Sequence, residues 1–377
     1  DAGTLRRVRQ DSGLERGPYL GTSKDKRDIT GTNHGHDRKR LNQANGEMEM
    51  NGLNVKSLGK MKRKGLSPQF AIVFVLLALI VLWSALSPAF LTTNNLLLII
   101  KQVTLYGILA VGMTLVIITG GIDLSVGSVV ALSAVFAAHF ASGEYAEAPL
   151  ILPIAVAVGV GTLCGLINGI GIAYAGIPNF IMTMCMMLAA RGAAYIYTNA
   201  KAIFGLSDKF TNISNGFLGR QYDAEGLVTQ YGVPYMVFYF VAAMIIGIIL
   251  LQYTTYGRKV YAIGGNHEAA RYSGLNVRLV EMSVYVISGL CSGICGFLMA
   301  SRISSGNANS ADGYEMTVIS AVVIGGVSMS GGVGTMTGVM IGVLITGVIS
   351  NGMDILGVNS YYQKILQAVI ILVAVFI

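Results

Sequence analysis

Asp123 lies in the stretch "TGGIDLSVGS", Thr119 to Ser128, between two apolar runs. A carboxylate at membrane depth is costly and marks a functional position by default. Its neighbours Gly120 and Gly121 favour irregular backbone, and Ser125 adds a hydroxyl two residues on. Two roles suit this set. Asp123, helped by Ser125, can bond N–H groups that a break in a helix leaves open, which is the favoured reading, or it can touch a polar solute in transit. Asn168, in "LCGLINGIG", can bond a solute or a neighbouring helix. Phe180 and Tyr314 can stack on a solute ring or sit at the membrane interface. Other ionisable residues in apolar surroundings are few: Arg191, Arg302, Glu315 and Lys364, most near the ends of runs. That is thin material for a proton relay. Arg191 reads as snorkelling or paired with a carboxylate.

Catalytic and metal signatures are missing. "GGVGTMTG" lacks the lysine of a phosphate-binding loop, and neither H-E-x-x-H nor a nucleophile elbow occurs. Cys291 and Cys295 share a helix face but read as packing, and "HGHDRKR", His34 to Arg40, reads as solvated arm. The expectation is therefore a protein without catalytic residues, metal or cofactor.

The chain has 377 residues, 53% hydrophobic and only 12% charged. A soluble domain carries roughly 25% charged residues, so the composition indicates a polytopic membrane protein. The net charge of +7 is confined to residues 1–65, which hold 15 Lys and Arg against 8 Asp and Glu. Residues 66–377 hold 11 of each. This is a basic arm and not a nucleic-acid surface. Its polar composition predicts disorder. Residues 1–47 read as added or upstream sequence, with Met48 and Met50 as candidate starts. Lys56, Lys60, Lys62, Arg63 and Lys64 precede the first apolar run and predict a cytoplasmic N-terminus.

Runs long enough to span lie near 70–90, 103–119, 127–141, 149–172, 178–198, 233–252, 281–301, 316–327, 333–350 and 361–377. The expected fold is all-α, a permease domain over 66–377 with about ten transmembrane helices, some broken at glycine. Counting from a cytoplasmic start places loop 199–232 outside, facing the periplasm, and loop 253–280 inside. "VIITGGIDLSVGSVVAL" from Val116 resembles "AVVIGGVSMSGGVGTMTG" from Ala321, which suggests an internal repeat whose copies run in the same direction. Gly120–Gly121 and Gly325–Gly326 are then paired breaks, a pointer to a transport site. The break at Asp123 reads as an interruption of a membrane helix and not as a hairpin bend.

The inner loop contains "YAIGGNHEAARYSGLNVR", Tyr261 to Arg278. Glu268 to Gly274 reads as a short helix with Asn266 as N-cap, Glu268 favoured in the first turn, and Gly274 at the stop. Such a helix suits the groove of another protein, although a plain solvated loop fits as well.

"EAARYSG" resembles the loop by which permeases of ATP-binding-cassette importers dock on their ATPase. With "GGIDLSVGS", "AIGGNHEAARYSGLNV", "GYEMTVISAVVIGGVSMSGGVGT" and "GVNSYYQKILQAVIILVAV", the chain from about residue 70 resembles the ribose-type branch of that family, permeases of monosaccharide importers. The resemblance implies a multi-pass protein of the bacterial inner membrane. It implies as partners a cytoplasmic ATPase, a periplasmic or secreted sugar-binding protein, and a second permease, with a homodimer expected. It implies that Gly264, Gly265, Asn266, Glu268, Ala269, Ala270 and Gly274 serve ATPase coupling. It places Gly120, Gly121, Asp123, Ser125, Asn168, Phe180, Ser320, Gly325 and Gly326 along the path or its broken helices. The chain departs from the family pattern at Thr317, where an acidic residue is frequent, at Ser320, where alanine is, and at His267, usually Pro or Glu. The alternative is a self-sufficient ion-coupled carrier of a small polar solute.

Overall fold

The computed structural model describes residues 68–223 and 228–376. The expectations for the arm, including Lys56 to Lys64 and the candidate starts, lie outside the described residues. Ten apolar helices correspond one for one to the expected runs. They are α1 (Pro68–Leu86), α2 (Thr93–Ile118), α3 (Val126–Phe140), α4 (Ile151–Ala173), α5 (Asn179–Thr198), α7 (Tyr235–Ile248, prolonged by a π-turn over Ile249–Tyr253), α10 (Val277–Ile303), α11 (Tyr314–Ile324), α12 (Met336–Ile355) and α13 (Ser360–Phe376). Six of the ten are long and apolar enough to cross a membrane, among the described residues. In lipid every backbone group must be bonded internally, which is why these runs are helices.

The loop after α5 holds more structure than the sequence reading gave it. α6 (Asp208–Asn215) is followed by a hairpin of β1 (Phe217–Tyr222) and β2 (Val228–Pro234). Ser301 Oγ on α10 donates to Phe210 O at 2.8 Å, and Ser214 Oγ donates to Leu298 O at 2.8 Å. Small hydroxyls thus staple this loop onto the end of α10.

What meets on each face orients the helices. Lys101 of α2 donates to Asn215 of α6 at 3.1 Å, and Ser207 N–H bonds Ala141 O just past α3. At the opposite face Ile118 O, closing α2, accepts Gly332 N–H at 2.8 Å. So α2 runs from the loop face to the opposite face, and the chain reverses before α3. The expected interruption of one helix is corrected here: residues 119–125 form the extended leg of a reversal. α2 has 26 residues and α3 only 15. Gly112 of α2 lies against Ser288, which bonds Asp123, so by Asp123 the chain has come back about six residues along α2, roughly 9 Å at 1.5 Å per residue.

The scaffold that holds this reversal is α10 packed on α4. A Cβ at Gly161 would lie 2.5 Å from Gly293 N, and one at Gly169 would lie 2.6 Å from Met282 O. Gly161, Gly165 and Gly169 recur every four residues; the first two meet Gly289 and Gly293, also four apart, and the third meets Met282. Small residues at this spacing let two helix backbones touch where lipid gives no hydrophobic drive.

At the loop face α2 and α12 are joined by a buried amide pair. Asn95 Nδ2 donates to Asn351 Oδ1 at 2.9 Å, and Asn351 Nδ2 donates to Asn95 Oδ1 at 2.7 Å. Asn95→Leu strands the partner amide and is expected to cost about 1–2 kcal/mol. The melting temperature in detergent reads it. The double variant with Asn351→Leu is expected to lose less than the two single losses combined, and strict additivity would show that the pair carries no coupling.

Candidate functional site

The first break is a glycine-terminated helix end followed by an aspartate turn. Gly120, at φ +84°, donates to Ile117 O at 2.9 Å, and Gly121 N–H reaches back to Val116 O at 2.9 Å. This is the left-handed stop that satisfies the last carbonyls of a helix. Two residues on, Asp123 Oδ1 accepts Ser125 N–H at 2.9 Å and Ser125 Oγ–H at 2.6 Å. An aspartate bonding the backbone two residues later sets the chain into a turn. Here the turn launches α3.

The other carboxylate oxygen is held from α10: Ser288 Oγ donates to Asp123 Oδ2 at 2.7 Å. Asn168 Nδ2 on α4 donates to Ser125 Oγ at 3.0 Å. Thr183 Oγ1 on α5 donates to Ile122 O at 3.3 Å. Three helices therefore grip one extended leg. Asp123 is 2% exposed, and its bonded partners are neutral. The Asn168 Oδ1 is buried without a partner. Buried polar groups are normally bonded, so this cluster is tightly specified with one acceptor to spare.

The second break repeats the same bonds one residue later than the sequence alignment suggests. Gly326, at φ +85°, donates to Val323 O at 2.8 Å, and Val327 N–H returns to Val322 O at 3.3 Å. Gly120 and Gly326 are thus equivalent, whereas aligning the Gly-Gly pairs matches Gly120 to Gly325. Both breaks sit at the face opposite the loop, and both follow a helix arriving from it. The expected common direction holds. The helix lengths are reversed, however: α11 has 11 residues and α12 has 20. No carboxylate occupies the second break. Thr335 Oγ1 instead caps α12 by accepting Gly338 N–H at 3.2 Å.

Between α7 and α10 the chain forms an arm of two helices where the sequence reading gave one. α8 (Thr255–Gly265) starts on Thr254, whose Oγ1 accepts Gly257 N–H at 3.1 Å. α9 (His267–Tyr272) starts on Asn266, whose Oδ1 accepts Ala269 N–H at 2.9 Å. Gly274, at φ +84°, ends it. The missed helix α8 carries Tyr261, whose Oη donates to Gly334 O at 2.7 Å. Burial pushes the Tyr261 phenol up from its ordinary value, so its proton stays in place for that bond.

The structure sorts the residues singled out from sequence. Gly120, Gly121, Asp123, Ser125 and Asn168 come together at the first break. Gly325 lies at the second, a Cβ there meeting Val339 Cα at 2.6 Å. Ser320 is buried and bonds back to Met316 O at 2.6 Å within α11. Phe180 stands apart, 51% exposed on α5. In the arm, Gly265, Asn266, Glu268, Ala269 and Gly274 are exposed, whereas Ala270 is 4% exposed and Gly264 faces Ile118. Ala270 turns toward the body on the packed side of α9, and Gly264, on α8, abuts Ile118 and Gly332. The accessible part of the expected coupling set is correspondingly smaller. His267 Nε2 lies 3.1 Å from Glu281 Oε1, so this departure from the family pattern has a local partner. Arg191 donates to Ala308 O at 2.6 Å and Ser310 O at 2.8 Å, and its charge also acts on Glu315. Ser288 escaped notice because nothing local distinguishes a helical serine. Gly331 and Gly332 carried a signal in their pairing.

Residues 95–375 match the family described as the branched-chain amino acid transport system / permease component. The ribose import permease protein of Escherichia coli is 40% identical over 305 residues, covering 81% of this chain and 92% of that protein. The L-arabinose ABC transporter permease protein of Azospirillum brasilense is 38% identical over 316 residues, 84% of this chain and 87% of its own. The galactose/methyl galactoside import permease protein of Escherichia coli is 37% identical over 339 residues, 86% and 97% respectively. No solved structure matches the chain. With an all-α, multi-pass architecture, paired glycine breaks and a match over three quarters of its length, the chain belongs to the family of branched-chain amino acid transport system permease components.

Proposed function

We propose that the chain is the membrane-spanning translocation subunit of an ATP-driven monosaccharide importer of the bacterial inner membrane. The observation that carries this reading is its similarity, over nearly their whole length, to permeases named for ribose, arabinose and galactose. The α8–α9 arm faces the cytoplasm with the N-terminus on the same side, and the α6–hairpin loop faces the periplasm. Glu268 and Ala269, exposed on α9, meet a cassette ATPase. A sugar-binding protein delivers the solute to the other face, and a second copy of the permease completes the pathway.

Alternating access requires that binding-protein docking and ATP binding each favour a different state, since a ligand shifts an equilibrium only by its differential affinity. A sugar in transit needs weak, distributed hydrogen bonds, which serine, threonine and asparagine hydroxyls and amides supply without trapping it. The test is reconstitution of the chain with the ATPase and binding protein in proteoliposomes, offered labelled ribose, arabinose and galactose. ATP-dependent uptake of at least one is the expected result. Gradient-driven uptake by the chain alone would overturn the reading in favour of an ion-coupled carrier.

A further inference from the structure

We infer that a junction built only of backbone, at Gly264, Ile118 and Gly332, makes the arm move both breaks as one body. This rests on the coupling role proposed for the arm. Gly332 N–H bonds Ile118 O at 2.8 Å, so the loop of the second break is tied directly to the helix end that opens the first. α8 drives into this link. A Cβ on Gly264 would fall inside Ile118 O and lie 2.6 Å from Gly332 N. A Cβ on Gly331 would lie 2.9 Å from Gly264 O and 3.0 Å from Ile118 O. One on Gly332 would lie 2.9 Å from Gly265 Cα. Tyr261, one turn earlier on α8, adds the bond to Gly334 O at 2.7 Å.

Three strands of main chain thus touch with no side chain between them. A side-chain layer could absorb a displacement by changing rotamer; close-packed backbone transmits it. The segments it reaches, 119–125 and 325–335, are those where the helical ladder is interrupted and the backbone can yield. α8 is the rod behind the junction, capped at one end by Thr254 and joined at the other to the exposed α9 through the single extended residue Asn266. Displacing α9 moves Gly264, and Ile118 and Gly332 follow together. Gly264 and Tyr261 are positioning residues for the transport cycle.

The experiment uses the full complex in proteoliposomes and reads sugar moved per ATP hydrolysed, with labelled ribose, arabinose and galactose as probes. Alanine raises helix propensity at either of two helical glycines, so Gly159→Ala on α4, where a Cβ meets open space, is the control. Gly264→Ala is expected to lower the sugar-to-ATP ratio about tenfold, mid-range for coupling between sites, with ATPase association and hydrolysis retained. Tyr261→Phe, which removes one bond and adds no bulk, is expected to lower the ratio about threefold with only a small drop in melting temperature. If Gly264→Ala fails to assemble, Tyr261→Phe decides. An unchanged ratio in Tyr261→Phe, parallel loss of transport and hydrolysis, or loss of assembly by Tyr261→Phe would each overturn the inference by reducing the junction to packing. Absence of ATP-dependent uptake in the unsubstituted complex would count against the function itself and leaves a different signature.

Discussion

Asp123→Ala is expected to destabilise the detergent-purified protein by about 3 kcal/mol and to abolish uptake, because it strands three buried donors at roughly 1 kcal/mol or more each. Those donors are Ser125 N–H, Ser125 Oγ–H and Ser288 Oγ–H. The turn that launches α3 loses its lock, and the leg over 119–125 loses its tie to α10. Asp123→Asn is the discriminating variant. Its amide oxygen can still accept both bonds from Ser125, and its amide nitrogen can donate to Ser288 Oγ once that hydroxyl rotates. Melting temperature close to that of the unsubstituted protein, with uptake largely kept, is the expected outcome. If Asp123→Ala melted normally yet transported nothing, the carboxylate would belong to the solute path. If Asp123→Asn failed as badly as Asp123→Ala, the negative charge itself would be required.

Asp123 also shows where sequence reasoning succeeds and where it stops. A carboxylate beside paired glycines in an apolar chain announces irregular backbone, because lipid offers no other way to satisfy the groups such a break exposes. The ten apolar helices were legible for the same reason: the bilayer imposes one hydrogen-bonding solution on every apolar run. Direction was legible by counting. What composition does not encode is depth. That α3 starts partway across follows from the bond of Asp123 to Ser288, which lies against Gly112 of α2, and both helix boundaries depend on where the glycine stop falls. The one-residue slip between Gly120 and Gly326 has the same origin. Either glycine of a pair can adopt positive φ, and the flanking packing chooses.

The partners of the site were less visible than the site. Ser288 and Asn168 are polar residues on otherwise apolar helices, and only tertiary packing brings them to Asp123. The glycine rows on α4 and α10 were not read from sequence either; that they belong to two helices touching at the backbone appears only in the packing. The arm divided similarly. Asn266 and Gly274 mark the ends of α9 by local capping rules; α8 has its own N-cap in Thr254, but its glycines Gly257, Gly264 and Gly265 masked it as a helix.

Glu268→Lys is expected to cut co-purification of the cassette ATPase by more than about tenfold, which corresponds to at least 1.4 kcal/mol of association energy. The local cost to folding is smaller. A cation in the first helical turn opposes the helix dipole by about 0.3–1 kcal/mol at an exposed site. α9 is held besides by its Asn266 cap, by the packing of Ala270, and by the neighbouring His267–Glu281 contact. The melting temperature should therefore stay close to that of the unsubstituted protein while association fails. Tyr272, 85% exposed and four residues on, shares the Glu268 side of α9. An exposed aromatic beside a charge is the composition of an interface anchor, so Tyr272→Ala should weaken association in the same assay. Glu268→Gln separates charge from shape: retention would assign Glu268 a contact by hydrogen bonding, and loss equal to that of lysine would place a cation opposite it. Undiminished co-purification by Glu268→Lys would remove α9 from the ATPase interface and leave the arm without the input that its contact with the two breaks is built to pass on.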